Sequence, residues 1–274
     1  MGILNITPDS FYAGSRKQTE VAIHSRIEAI LSEGAGIIDI GGYSSRPGAA
    51  EVSPLEERQR LALALKIIQA DYPEAIVSID TFRADVARFA VEEYGADIIN
   101  DIAGGELDTD MFRTIVSLKV PYILMHMRGT PQAMQQLTAY DNMIVEMRKY
   151  FADKIYELES LGVNDIILDP GFGFSKTLDQ NYELMARLKE FAIFNLPLLV
   201  GISRKSMIYK LLDSTPGDSL NGTSVLNTLA LLNGGDILRV HDVKAAVEAV
   251  RIVGKYQSFQ STNINEAICG CTSE

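Results

Sequence analysis

Cysteine is nearly absent from this chain of 274 residues: Cys269 and Cys271 are the only two, spaced C-x-C close to the end. That spacing suits neither a zinc knuckle nor a disulfide framework, so a reducing cytoplasm is the expected compartment. Basic residues are also scarce, with 25 Lys and Arg against 36 Asp and Glu and a net charge of −11. Without a cationic excess nothing offsets the charge of nucleic acid or of an anionic membrane, and neither is expected as a partner. An anionic ligand would need its cations gathered in one place. Long apolar runs are missing too. Each is short and followed by Gly, Pro or charge, and no charged-then-apolar leader opens the sequence, so neither membrane spanning nor secretion is expected. What is present is ordinary for a globular protein: 47% hydrophobic and 22% charged residues, enough for a large buried core.

Short apolar runs alternate with longer amphipathic stretches from the first residue to about Tyr256. The strand candidates are Gly2 to Ile6, Gly36 to Ile40, Ala75 to Ile79, Asp97 to Ile99, Pro121 to Met125, Asp165 to Leu168, Leu196 to Val200 and Ile237 to Val240. Helical spacing is found in Glu20 to Ser32, Pro54 to Ala70, Ala84 to Glu93 and Tyr140 to Leu161. Eight βα units with strands apolar on both faces predict an α/β fold, a (β/α)₈ TIM barrel in a single domain over residues 1–257. An open doubly wound sheet is the competing architecture, but no convincing G-x-G-x-x-G follows the first strand. Residues 258–274 are polar and aperiodic and are expected to form a disordered tail.

In a parallel barrel all strand carboxyl ends emerge on one face, so polar residues there converge on one pocket. Every strand supplies some: Asn5; the loop GGYSSRPG; Asp80 and Thr81; Asn100 and Asp101; His126; Asp169 in DPGFGFSK; Ser203, Arg204 and Lys205; Arg239 and His241. Such a face suits a heteroaromatic ring and an anion. Plainer readings stand beside this one. Asp80, Asp101 and Asp242 precede helical stretches and could cap free amides. His126 is expected to be a satisfied core histidine, and the loop glycines could serve only tight turns. Asp169, followed by Pro170, is poorly placed to cap a helix. Arg204 and Lys205 open a helix, where the dipole disfavours cations and a nearby anion would relieve the conflict.

Seven motifs occur in register: GILNITPDSF at 2–11, SSRPGA at 44–49, SIDTF at 78–82, INDI at 99–102, DPGFGF at 169–174, GISRKSMI at 201–208 and RVHDV at 239–243. In these the chain closely resembles the dihydropteroate synthase family over nearly its whole length, to about Val253. The resemblance implies a transferase of folate biosynthesis that joins 6-hydroxymethyl-7,8-dihydropterin pyrophosphate to p-aminobenzoate. It implies that Asn5 lies near a Mg²⁺ accompanying the pyrophosphate. Asp80, Asn100, Asp169 and Lys205 would line a pterin slot, Asp169 accepting paired hydrogen bonds from the amino-pyrimidine edge. Arg239 would cover the ring and, with His241, face the pyrophosphate. Ser45 and Arg46 would touch p-aminobenzoate and pyrophosphate, and Ser206 the aminobenzoate carboxylate. Lys205, Arg239, His241 and Arg46 would be the catalytic set, and a homodimer is implied.

The chain departs from the family pattern where Tyr43 stands in place of a common Glu and Ala13 in place of a common Asp. The family pattern usually places a short lead-in hairpin before the motif that here begins at Met1, and on that resemblance a less well covered barrel floor is expected. Other readings remain: a non-catalytic pterin-binding paralogue, a pterin-dependent methyltransferase, or an unrelated barrel enzyme using Lys205 as a Schiff-base nucleophile. The pairing of SRPG with SRKS separates a synthase from the methyltransferases.

Overall fold

The computed structural model describes residues 1–6, 16–43 and 52–269, and for 16–18 and 260–269 the backbone alone. Among them are eight strands: β1 (Gly2–Asn5), β2 (Ile38–Gly41), β3 (Val77–Asp80), β4 (Ile98–Asp101), β5 (Tyr122–Met125), β6 (Ile166–Asp169), β7 (Leu199–Val200) and β8 (Ile237–Leu238). All pairings are parallel. Strands β1 to β6 form one ordered sheet and β7 pairs with β8. Bridges Leu168 to Leu198 and Gly2 to Val240 join the two pieces at both edges, closing the barrel.

The helices are α1 (Arg16–Ser32), α2 (Pro54–Asp71), α3 (Ala84–Tyr94), α4 (Met111–Leu118), α5 (Met143–Ser160), α6 (Leu178–Ala186), α7 (Ser206–Tyr209), α8 (Leu220–Leu232) and α9 (Val243–Cys269). Local signals set their ends. Ser53 caps Glu56 N and Pro54 takes the first turn of α2. Thr177 and Gln180 form a capping box on α6, and Gly95 closes α3 in the left-handed region. Helix α9 continues to Cys269, into the stretch expected from residue 258 to form a polar tail. Neither Gly nor Pro occurs between Lys255 and Cys269, so nothing in the backbone stops the helix.

Successive residues of each strand face opposite sides. Leu4, Ile38, Ile40, Val77, Ile79, Ile99, Tyr122, Leu124, Ile166 and Leu168 belong to the large cluster beneath the helices. The alternate positions point into the barrel. At its amino-terminal end Ile98, Ile123 and Leu199 pack with Met1, Ile37, Ile167 and Ile237 into an aliphatic floor. Above them, at the carboxyl-terminal end, the inward positions include Asp80, Asn100, Asp169 and Arg239.

Candidate active site

Four strands, β2 to β4 and β6, start one or two residues later than the sequence suggested and end one or two residues later as well. Asp80, Asp101 and Asp169 are therefore the last strand residues and Asn100 the last but one, rather than loop residues following the strands. Ladder bonds hold them there: Thr81 N donates to Asn100 O at 3.0 Å and His126 N to Asp169 O at 2.9 Å. Rigid sheet backbone thus positions the side chains at the mouth.

Arg239 is the hub. Its Nε donates to Asp39 Oδ2 at 2.6 Å and its Nη2 to Asp80 Oδ2 at 2.6 Å. Burial raises the Asp80 acid against the pull of Arg239, while Asp39 and Asp80 hold the guanidinium above its usual value despite burial. Asp39, fully buried, also accepts from Ser78 Oγ at 2.7 Å. Neither Asp39 nor Ser78 was singled out from the sequence. Their signal was the period-two placement of polar residues inside apolar runs, one residue pair below Gly41 and Asp80.

Lys205 reaches the same space from the loop after β7. Its Nζ donates to Phe172 O and lies 4.5 Å from the centroid of the Phe174 ring. Burial lowers the ammonium to about 8, with Asp169 opposing and Arg239 assisting. Asp169, itself raised by burial, accepts from Gly171 N at 2.8 Å. Gly171 has φ +69°, and a Cβ there would stand 2.1 Å from His126 O, so only glycine allows the turn.

The DPGFGF loop is fastened by a residue whose role the sequence did not disclose. Lys176, 3% exposed, donates from Nζ to Gly171 O and Phe174 O at 3.0 Å each and lies 3.3 Å from His126 Nδ1. While Lys176 is an ammonium it only donates, and Nδ1 is then the acceptor. Burial lowers Lys176 to about 7 and His126 well below its usual value. His126 also meets Tyr150 edge-on at 5.0 Å, the satisfied core histidine expected.

Other residues resolve into supports. Asp101 accepts from Ala103 N, Gly105 N and Tyr122 Oη at 2.6–2.8 Å, a buried tether rather than a helix cap. Arg204, at φ +57°, forms a two-pronged pair with Asp242 at 2.9 and 2.6 Å. That carboxylate, and not a substrate anion, relieves the conflict expected for a cation at this helix start. Ser203 Oγ accepts from His241 N at 3.1 Å and lies 3.0 Å from His241 Nδ1, where the ring's tautomer sets which of the two donates. Ser206 begins α7, which has only four residues, so its dipole is weak. Tyr43 meets Phe82 edge-on at 5.1 Å, and Arg83 lies over both rings. Tyr43 thus belongs to an aromatic and cationic stack. Ser45, Arg46 and Ala13 lie outside the described residues. No cluster of three or more His, Cys, Asp or Glu able to hold a metal occurs among those described.

Comparison with known proteins matches this geometry. A family model described as pterin binding enzyme covers residues 1–241. The chain belongs to the pterin-binding enzyme family. Among its relatives, dihydropteroate synthase of Escherichia coli is 44% identical over 255 residues, 92% of this chain and 89% of its own. The Synechocystis dihydropteroate synthase is 45% identical over 261 residues, 92% of this chain and 88% of its own. The structure of Yersinia pestis dihydropteroate synthase with a sulfonamide drug complex superposes with a TM-score of 0.87 at 39% identity, covering 94% of each chain. That of the Xanthomonas albilineans enzyme with 4-aminobenzoic acid does so with a TM-score of 0.86 at 35% identity, covering 95% of this chain and 92% of the other.

Proposed function

We propose that the chain is a dihydropteroate synthase, condensing 6-hydroxymethyl-7,8-dihydropterin pyrophosphate with p-aminobenzoate to 7,8-dihydropteroate and pyrophosphate. The observation that carries this reading is the gathering of Lys205 and Arg239 beside the buried acceptors Asp169 and Asn100 at one end of the barrel. Acceptors suit the donor edge of an amino-pyrimidine; cations suit a departing pyrophosphate. The net charge of −11 makes that local cation pair the more telling.

The reaction is a substitution at the pterin methylene carbon. The carbon–oxygen bond to pyrophosphate breaks early, its electrons leaving with the pyrophosphate. The arylamine nitrogen then bonds to the carbon and loses a proton. An arylamine is largely neutral near pH 7, so no strong general base is required. Asp169, with Asp80, Asn100 and Lys205, holds the pterin. The leaving group is assigned to Arg239, His241 and Arg46, and the aminobenzoate to Ser45, Arg46 and Ser206. The protein contributes position and fixed charge.

Mg²⁺ fits the donor set at the mouth. A Cβ on Gly41 would stand 3.4 Å from Asn5 Oδ1 and 3.7 Å from Asp80 Oδ2, so hard oxygen donors flank this glycine. A cation that keeps most of its water needs few protein ligands, and Asn5 would hold it. With Mg²⁺ held by Asn5, charge on the leaving pyrophosphate would be neutralised. The domain is the barrel of residues 1–257, the compartment the cytoplasm, and the assembly a homodimer. Supporting the last, Val225 and Leu229 on α8 and Val250, Ile252 and Tyr256 on α9 are exposed apolar side chains on two helices packed together. No helix among the described residues is long and apolar enough to cross a membrane.

The test is pyrophosphate release by the purified protein given the pterin pyrophosphate and Mg²⁺, with and without p-aminobenzoate. Release that depends on p-aminobenzoate, with dihydropteroate formed, is expected. Pterin binding without turnover would instead identify a non-catalytic paralogue.

A further inference from the structure

Asp39 is a buried carboxylate to which the proposed reaction gives no part. Asp39 sits within β2, fully buried, its Oδ1 accepting from Ser78 Oγ at 2.7 Å and its Oδ2 from Arg239 Nε at 2.6 Å. A third donor reaches it from β4: Asn100 Nδ2 lies 3.3 Å from Oδ1 and 3.4 Å from Oδ2. A carboxylate paired with a guanidinium offers acceptors only, so the nitrogen end of the Asn100 amide must be the end turned toward it. Amide orientation is ordinarily decided by such neighbours, because oxygen and nitrogen occupy the same space.

The consequence falls on the other end of the amide. Asn100 is 2% exposed, and its Oδ1 is buried without a hydrogen-bond partner among the described residues. A buried carbonyl oxygen without a donor costs stability, and native folds retain one where a partner is to arrive. Asn100 shares its register with Asp80, whose carboxylate closes on Arg239, so a donor for this oxygen comes from the slot, as a water or a bound ligand. Were Asn100 free to rotate, the slot could present either a donor or an acceptor there and would accept heterocycles of either polarity.

We infer that Asp39 is a positioning residue that locks the amide of Asn100 with its carbonyl toward the slot, so that the site selects a heterocycle edge bearing N–H donors. This rests on the pterin-binding reading above and adds to it a residue that decides ligand polarity without touching the ligand. Asp169 and Asn100 then act together as two acceptors. A ring with a bare nitrogen at the matching position would set lone pair against lone pair.

The experiment uses the whole chain and 6-hydroxymethyl-7,8-dihydropterin pyrophosphate, with binding followed by calorimetry and turnover by pyrophosphate release. In Asp39→Asn the new amide can donate toward Asn100, which turns its own nitrogen to the slot. Pterin affinity should fall about tenfold or more, the size of one buried hydrogen bond to a polar ligand, while the KM for p-aminobenzoate moves less than about threefold. The exchange variant Asp39→Asn/Asn100→Asp puts the donor on residue 39 and returns an acceptor to the slot. It should bind the pterin at least about tenfold more tightly than Asp39→Asn, a rescue that loss of packing would not produce. Should Asp39→Asn fail to fold, the comparison is with Asn100→Asp alone, which sets two carboxylates face to face and must bind more weakly than the exchange. Parent-like affinity in Asp39→Asn, or an exchange variant no better than its comparator, overturns the role of Asp39 while leaving the synthase reading standing. A folded parent that neither binds the pterin nor releases pyrophosphate overturns both.

Discussion

Two tiers of the same barrel interior lie two residues apart along the strands, and they are built from opposite materials. On β4, β6 and β8 the lower tier is Ile98, Ile167 and Ile237, and the upper tier is Asn100, Asp169 and Arg239. The floor is aliphatic and makes no directional demands. The mouth is nearly as enclosed but carries paired charge, with each carboxylate answered by a guanidinium, a hydroxyl or a backbone amide. The difference shows what the floor does for the site: it supplies an apolar base, with no competing hydrogen-bonding groups, against which a few ion pairs hold their positions.

Breaking the hub of the mouth should have the largest effect. Arg239→Ala leaves Asp39 and Asp80 without their cation, and the protein should lose about 3–5 kcal/mol in urea unfolding together with its turnover. The loss should shrink toward pH 5. Burial raises the Asp80 acid, so the folded state favours its protonated form and loses stability as pH climbs through the raised value. An equal loss at pH 5 and pH 8 would count against this account of the pair. At the floor, Leu199→Ala should cost about 2–5 kcal/mol of stability through the cavity it leaves, with both KM values nearly unchanged. A large rise in pterin KM would show that the tiers are not separable.

Smaller changes at the mouth should spare the fold and strike binding. Asp169→Asn should weaken pterin pyrophosphate binding by about 1.5–3 kcal/mol while the melting temperature shifts little; unchanged binding would remove Asp169 from the pterin edge. The mildest perturbation is pH itself. Lys205 is lowered to about 8, chiefly by burial, and it attracts the anion only as an ammonium. On that basis kcat/KM should fall as pH rises through about 8, approaching tenfold per unit beyond it. Lys205→Arg, whose charge persists, should erase that limb even at reduced activity, and a limb that survives the substitution belongs to another group.

The alternation of apolar runs with amphipathic stretches was enough to expose eight βα units, because a parallel strand covered by helices must be apolar on its outward face. The boundaries were harder to read. Asp80 and Asp169 look like loop residues because they are charged, yet the ladder includes them. Asp39 was passed over for the converse reason: one carboxylate inside GIIDIG looks like an exception within an apolar run until the barrel closes and gives Arg239, 200 positions away, as its partner. Lys176 was hidden likewise, since burial among loop carbonyls cannot be read from a lysine in sequence. Arg204 shows the opposite error. Its cation looked available to an anion, and Asp242 consumes it.

By itself the sequence determined the fold class and the family, because strand periodicity and seven ordered motifs are local properties of the chain. It also named most of the polar residues at the mouth, because strand ends in a parallel barrel share one face. Only the tertiary structure decided which of those groups are engaged with one another. Charge pairing, amide polarity and burial depend on neighbours far apart in sequence, and closure of the barrel is what makes Asp39, Asp80, Asn100 and Arg239 neighbours.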